Sequence, residues 1–261
     1  EIYFIDNPNV YSRDGPYAPK ASAYDDTDER FIFYSRATLE AAKFLDFKPD
    51  IVHAHDWHAA LIPALLKSVY AQQPHFSGTK TVQTIHNIAY QGLFPAETLA
   101  KAGLSESDFT PDRFEYHGKF SLLKAGLAVS DALTTVSPRY ASEIQASDEF
   151  GRGLEGLLSH RSTDLHGILN GIDQELWNPA SDRALARHYG PGDVAAGKAA
   201  NKAALQAETG LALDPGAPLF SVASRIDPQK GLDLVAELVP FLAGKRAQFV
   251  LTGSGAAQLP K

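Results

Sequence analysis

Three histidines and one aspartate crowd into a single short stretch, DIVHAHDWHAALIPALL, at residues 50–66. Imidazole and carboxylate groups are ligands that zinc accepts. The same groups also bind hydroxyl-rich molecules through hydrogen bonds. His53, His55, Asp56 and His58 therefore raise two alternatives, a metal centre or a polar binding cleft.

The metal alternative fits the spacing poorly. The dense histidine signature of metallo-β-lactamases is H-x-H-x-D-H, whereas HAHDWH places Trp57 where that pattern needs aspartate. In an extended strand His53 and His55 point to the same face. For His53 the simpler interpretation is a structural one, a strand histidine whose partners are backbone groups. We therefore expect no metal site.

Polar residues follow two successive predicted strands. Asp56 and His58 come directly after DIVHAH, and His86 and Asn87 end the strand KTVQTIHN. Carboxyl ends of neighbouring parallel strands share one rim, where open α/β sheets bind ligands. Polar side chains with few charges, converging at one rim, suit a hydroxyl-rich ligand such as a sugar better than a divalent ion. Asp56 could also act as the N-cap of the following helix.

A second group of candidates lies in PLFSVASRIDPQKGLDL, at residues 218–234. Arg225 is predicted to end a strand and Lys230 to open a helix. Two cations beside a helix N-terminus favour a diphosphate, through charge, forked hydrogen bonds and the helix dipole. Gly253, in TGSG after the next strand, allows backbone approach to a ligand but equally suits a plain turn.

The elements that position these residues alternate between strand and helix. EIYFIDN at residues 1–7 is predicted to be a strand and 7–26 a long loop. Helices are predicted at 28–47, 58–73 and 138–145, the last with Ser137 as its N-cap. The pattern predicts a parallel α/β sheet covered by helices on both faces. Turn residues in 165–182 mark a domain boundary.

The composition narrows the class of function. The formal net charge of −7 disfavours a nucleic-acid surface. The absence of cysteine excludes thiolate catalysis and disulfides. No apolar run reaches the roughly 20 residues that a membrane-spanning helix needs. We expect a globular cytoplasmic protein with no membrane or nucleic-acid partner.

Several blocks taken together resemble one family. They are HAHDWHAALIPALL, TIHNIAYQGLF, LLKAGLAVSDALTTVSPRYASEI, GLEGLL, ILNGIDQELWNP and SRIDPQKGLDL, in this order. The chain is similar to the bacterial glycogen synthases and plant starch synthases. The resemblance implies a GT-B fold, with two Rossmann-like domains facing across a cleft. It also implies transfer of glucose from ADP-glucose to the non-reducing end of an α-1,4-glucan, with retention of configuration.

The resemblance assigns roles to individual residues. Arg225 and Lys230 would hold the donor diphosphate, and His86, beside Asn87, would contact the transferring glucose. Asp56, Trp57 and His58 would line the cleft near the donor glucose and the acceptor. Asn170 would face the donor from the joint between the domains, and Tyr17 would lie near the adenine. Gly253 is added to the donor side because its strand-end turn lies beside Arg225 and Lys230 in the predicted fold. The family needs no metal cofactor, and its partners are the nucleotide sugar and the glucan.

Two motifs of that family are absent from the chain, an N-terminal Lys-x-Gly-Gly loop and a later Glu-Pro-x-Gly segment. We therefore interpret residues 1–166 as an acceptor-side domain without its start. Residues 167–261 would be the first part of the nucleotide-sugar domain. This segment alone is expected to be inactive.

Three alternatives remain open at this point. A related transferase could use UDP-glucose, a non-catalytic protein could bind nucleotide or glucan on the same scaffold, or a zinc hydrolase could use His53, His55 and His58. Because the donor cations and His86 fall on different sides of the predicted boundary, a transferase is expected to close its domains during catalysis.

Overall fold

The computed structural model of the chain describes residues 1–13 and 24–255. Its contacts divide the chain into two compact units, Glu1–Asn170 and Gly171–Lys261. The strands of the first unit are β1 Ile51–His55, β2 Lys80–Ile85, β3 Leu93–Phe94, β4 Glu115–Tyr116, β5 Lys119–Ser121, β6 Ala132–Thr135 and β7 Leu165–Gly167.

The first unit also contains the following helices. In chain order they are α1 Pro8–Tyr11, α2 Thr27–Phe44, α3 Asp56–Ala59, α4 Leu61–Lys67, α5 Thr98–Lys101, α6 Leu122–Val129, α7 Pro138–Glu143, α8 Asp148–Gly151 and α9 Glu155–His160. The predicted N-cap of α7 is confirmed, because the Ser137 hydroxyl accepts a hydrogen bond from the Tyr140 amide at 2.9 Å.

The central sheet has the strand order β1-β2-β6-β7, with every pair parallel. Its register places His55 opposite Thr84, and Thr84 opposite Thr134. Strands β3, β5 and β4 form a separate antiparallel sheet. The prediction of an α/β fold with a parallel sheet is confirmed.

The core of the first unit lies where α6 packs on α3 and α4. Leu61, Leu65, Leu123 and Leu127 are fully buried there. The helices approach closely because α6 carries Gly126, where a Cβ would lie only 2.7 Å from the Ala60 carbonyl oxygen. This packing holds the turn after β1 against the body of the unit.

Within residues 1–13 and 24–255, helices do not cover both faces of β1, whereas the sequence predicted cover on both faces of the sheet. Ala54 is buried, while His53 and His55, which point the opposite way, are exposed. The long helix α2 packs against α3 and α4 rather than on the histidine face. The alternation of side chains along the strand thus presents both histidines on an open surface.

Two local predictions are wrong. Residues 1–7 form no strand, because no strand in the described part of the chain pairs with them. The helix predicted at 58–73 is replaced by α3 and α4 and ends at Lys67, where the Ser68 hydroxyl donates to the Ala64 carbonyl. Pairing and capping contacts, which local propensity does not report, decide both outcomes.

The second unit holds α10 Val194–Glu208, β8 Leu219–Ala223, α11 Leu232–Ala243 and β9 Gln248–Thr252. Strands β8 and β9 are parallel. Both strands end before the positions that the sequence suggested, so Arg225 and Gly253 lie in the segments that follow them. Within the described ranges of both units, the helices are too short or too polar to cross a bilayer.

Asp131 ties together the amino ends of β2 and β6. Its carboxylate accepts hydrogen bonds from the Lys67 ammonium at 2.9 Å and from the amide and hydroxyl of Thr81, both at 2.8 Å. Although burial works in the opposite direction, these donors lower the pKa of Asp131 to about 2. A carboxyl with a lowered pKa stabilises the fold only while it is ionised.

We predict that Asp131→Asn lowers the free energy of unfolding by roughly 2 kcal/mol at pH 7. The native contribution is complete above the unfolded-state pKa near 4 and disappears as the pH falls toward 2. The difference between wild type and variant should therefore shrink between pH 4 and pH 2. Urea unfolding followed by circular dichroism at several pH values measures it.

Asp46→Asn is the matched control, because that carboxylate is exposed and its lysine neighbour lies 4.0 Å away. This control should change the unfolding free energy by less than about 0.5 kcal/mol. An Asp131→Asn effect that is equally large at pH 2 and pH 7 would contradict the electrostatic explanation.

Candidate functional site

The turn between β1 and α3 is built around an unusual backbone conformation at Asp56. Its φ is +53°, in the left-handed region that few residues other than glycine adopt. Aspartate tolerates this region better than most residues. The turn brings the Asp56 carboxylate to the end of β2, where it accepts hydrogen bonds from the backbone amides of His86 at 2.8 Å and Asn87 at 3.4 Å.

Asp56 does not cap its own helix, so the N-cap prediction is wrong. The N-cap of α3 is His55, and no side chain makes a capping bond there. The physical reason is that Asp56 lies inside the first turn, and its carboxylate serves the neighbouring strand end instead. The bond joins the two predicted rim segments, as their places on adjacent strands require.

His86 reaches the rim as an exposed side chain held at two points. Asp56 binds its backbone amide, and its ring Nε2 lies 3.0 Å from Nδ1 of His55. Asn87 uses its side-chain oxygen locally, accepting from the Ala89 amide at 3.0 Å. The loop continues to Ile88, whose amide donates to the Tyr140 hydroxyl at 3.2 Å.

Trp57 and His58 pack among aromatic rings beside the turn. Trp57 is buried and its ring centroid lies 4.6 Å from that of Phe31 and 4.1 Å from that of His58. Burial lowers the pKa of His58, although the nearby Asp56 carboxylate acts in the opposite direction. The lowered pKa favours the neutral imidazole at pH 7. Trp57 also lines a pocket.

That pocket has a volume of about 440 Å³. Its lining combines three aromatic rings with polar and charged groups: Trp57, Ala89, Tyr90, Gln91, Gly92, Leu93, Tyr116, Asp148 and Arg152. Aromatic faces beside a few polar groups are typical of pockets that bind small polar molecules. Sequence reasoning identified only Trp57 here. The signal was present in AYQG, directly after the His86 strand end.

Gln91 is the buried polar group of this pocket. Its Nε2 donates to the Arg152 carbonyl at 2.8 Å, whereas its Oε1 has no hydrogen-bond partner within the described ranges. Gly92 has a φ of +60°, and a Cβ there would overlap the Trp57 indole. The tight glycine turn therefore sets the position of both the indole and the glutamine.

His53 is structural, but its partner differs from the prediction. Its Nε2 lies 2.6 Å from the Thr84 hydroxyl rather than against backbone groups, because the register brings β2 side chains onto the same face. Thr84 in turn lies 2.5 Å from the Thr134 hydroxyl. Across residues 1–13 and 24–255, no three histidine or acidic side chains are arranged to hold a metal ion.

Arg225 and Lys230 lie in the second unit, after β8. Both side chains are exposed, and neither has a hydrogen-bonded or ion-paired partner among the described residues of that unit. Lys230 does not open the helix, because it ends a short 3₁₀ turn, Pro228–Lys230, that Asp227 caps. Gly231, with a φ of +63°, separates this turn from α11.

Gly253 has a packing role that the sequence left undecided. A Cβ at this position would overlap the Ser224 carbonyl oxygen on the neighbouring segment. The ladder also continues past both strands, with the Ile226 amide donating to the Ser254 carbonyl at 3.0 Å. Gly253 therefore keeps the segment that carries Arg225 close to the end of β9.

Two predicted site residues join neither group. Asn170 is exposed, after β7 and at the end of the first unit. Tyr17 lies outside the described residues. The structure thus brings together Asp56, His86 and Asn87 in the first unit. In the second unit Arg225 lies in the segment after β8 and Lys230 ends the 3₁₀ turn that follows it.

We predict that Asp56→Gly speeds hydrogen exchange of the His86 amide by about tenfold or more, because its charged acceptor is lost. Glycine accepts a positive φ, so this variant removes the hydrogen bond without adding strain. Asp56→Asn is the matched control, since asparagine tolerates the same φ and keeps a carbonyl acceptor. Exchange mass spectrometry resolves the peptide. Equal exchange in both variants would contradict the assigned contact.

The amino-acid sequence of the chain is similar to that of a family of known catalytic domains. The family model described as the starch synthase catalytic domain matches residues 1–160. A relative from Geobacter sulfurreducens, named glycogen synthase 2, is 46% identical over 256 residues, covering 98% of this chain and 52% of the relative. A glycogen synthase from Elusimicrobium minutum is 45% identical over 260 residues, covering 100% and 54%.

A solved structure is similar as well. It is the catalytic domain of starch synthase IV from Arabidopsis thaliana bound to ADP and acarbose, with a TM-score of 0.82 and 34% identity. The similarity covers 91% of this chain and 49% of that one. The chain spans about half the length of the curated relatives it matches. By its sequence and its fold, the chain belongs to the starch synthase catalytic domain family.

Proposed function

We propose that the chain is part of a glycogen synthase that transfers glucose from ADP-glucose to the non-reducing end of an α-1,4-glucan, with retention of configuration. The observation that carries the proposal is a pair of exposed cations, Arg225 and Lys230, in the segment that follows β8 in a chain of this family. Neither side chain has a hydrogen-bonded or ion-paired partner among the residues that the structure describes. Relatives named glycogen synthase support the reaction, and ADP in the similar starch synthase supports the donor.

The two cations have a defined electrostatic role in this reaction. When the bond between glucose and the diphosphate breaks, negative charge accumulates on the leaving group. Arg225 can meet it with forked hydrogen bonds and Lys230 as a compact charge. Because that charge is larger in the transition state than in the bound substrate, the cations accelerate the chemical step. We propose no metal cofactor for the same reason.

The first unit would supply the sugar side of the site. His86 would contact the transferring glucose, with Asp56 and Asn87 holding its loop in place. The pocket beside Trp57 has the aromatic walls and the unsatisfied Gln91 acceptor that suit a glucosyl unit of the acceptor. Acarbose, which the similar starch synthase structure contains, supports a saccharide partner.

The complete protein would have the GT-B arrangement of two Rossmann-like domains across a cleft, and would work in the cytoplasm. The similarity to the starch synthase IV catalytic domain supports this fold. Tyr17, Asn170 and Gly253 would complete the donor side.

Calorimetric titration of the full-length protein with ADP and with UDP, both in EDTA, tests the proposal. We expect ADP to bind more tightly than UDP, and Arg225→Ala to weaken ADP binding by about 100-fold. Arg183→Ala is the control, because that arginine is exposed in the same unit but outside the proposed site.

The other outcomes identify the alternatives. Tighter binding of UDP would indicate a related transferase with a different donor. Tight ADP binding without glucosyl transfer to glycogen would indicate a non-catalytic binding protein. Failure of both nucleotides in EDTA, with binding or hydrolysis restored by zinc, would refute the synthase proposal.

A further inference from the structure

The ring of His55 is sandwiched along the open face of β1 and β2. Its centroid lies 4.2 Å from that of His53 and 5.3 Å from that of His86. Its Nδ1 lies 3.0 Å from Nε2 of His86, at hydrogen-bonding distance. His55 is thus the side chain that holds the ring of His86, while Asp56 holds its backbone.

A hydrogen bond between two imidazoles constrains the protons of both. One nitrogen must carry the proton and the other must offer a lone pair, so the two rings cannot both be protonated at this contact. Partial burial, followed by the neighbouring His53 and His86, lowers the pKa of His55 despite the opposite influence of Asp56. The neutral ring that the contact requires is therefore favoured at pH 7.

The contact leaves the two nitrogens of His86 in different situations. Nε2 is engaged by His55, whereas Nδ1 has no hydrogen-bond partner among the residues that the structure describes. A ring with one engaged and one available nitrogen can offer a ligand a single, defined donor or acceptor. Without His55, the ring could rotate and exchange tautomers.

We propose that His55 is a positioning residue, which fixes the ring orientation and tautomer of His86 so that Nδ1 of His86 meets a hydroxyl of the transferring glucosyl unit. The identity of the ligand group rests on the function proposed above, but the effect of His55 on His86 does not. The proposal gives His55 a role that differs from the structural role of His53.

His53 provides an internal control for this assignment. It lies on the same strand and the same face, and its ring also touches His55. Its own hydrogen bond, however, goes to Thr84 and from there to Thr134, a network that does not include His86. If the loss of any histidine from this face disturbed His86, substitutions of His53 and of His55 would have equal effects on it.

The direct test is the tautomer of His86 in the full-length protein without ligand. Long-range nitrogen–proton NMR spectra of ¹⁵N-histidine-labelled protein report it, and the signal is assigned with His86→Asn. We expect one tautomer in the wild type and in His53→Phe, and a mixture in His55→Phe. His55→Ala, which removes the same imidazole nitrogen without adding a larger ring, should give the same mixture.

Kinetics test the consequence for catalysis. We expect His55→Phe to lower kcat by about tenfold with a smaller change in KM for ADP-glucose, and to cause no further loss in a His86→Ala background. A tautomer mixture in the wild type, or equal effects of His53→Phe and His55→Phe, would overturn the proposal. Additive losses with His86→Ala would overturn it as well.

The design also separates this inference from the proposed function. If the full-length protein transfers no glucose, the claim that Nδ1 of His86 meets a glucosyl hydroxyl is refuted. The tautomer spectra still decide whether His55 positions the ring of His86. If circular dichroism shows that His55→Phe is unfolded, His55→Ala takes its place, and a single His86 tautomer in that variant would refute the positioning role of His55.

Discussion

The hydrogen bond from the His86 amide to the Asp56 carboxylate is the contact on which the candidate site depends. It joins the ends of β1 and β2 beyond the last rung of their ladder, and it requires the positive φ of Asp56. With this link in place, the His86 ring reaches His55 and the amide of Ile88, further along the loop, reaches Tyr140. Two strand ends and one helix are thereby held together around a surface that is open to a ligand.

The three histidines of HAHDWH have different structural roles and do not form one site. His53 and His55 lie on one face of β1, as the two-residue period of a strand requires. At Asp56 the chain turns into α3, which directs His58 to the aromatic packing around Trp57. The three imidazoles therefore do not converge, although they lie within one short stretch of sequence. Because their neighbours differ, one joins a hydroxyl network, the next supports His86, and the last packs among aromatic rings.

Some basic side chains are bonded within the fold, whereas others are exposed. Lys67 donates to Asp131, and the buried Lys124 donates to the Pro111 and Glu115 carbonyls, so that both stabilise the fold. Arg225 and Lys230 make no such contacts among the described residues of the second unit. An exposed and unpartnered cation contributes little to folding but remains available to an anion. This contrast is the reason that the diphosphate site is proposed at the segment after β8.

The sequence alone determined the class of fold and the location of the candidate residues. The alternation of strands and helices predicted the parallel sheet, and its strand ends located Asp56, His86 and Arg225. Local patterns also identified Ser137 as a cap. Tertiary structure decided the burial of Trp57, the pocket around Gln91, the partner of Asp56 and the contact between His55 and His86. Local propensity reflects the energy of each segment by itself, whereas these outcomes depend on hydrogen bonds and packing between residues about thirty or more positions apart, which only the folded chain brings together.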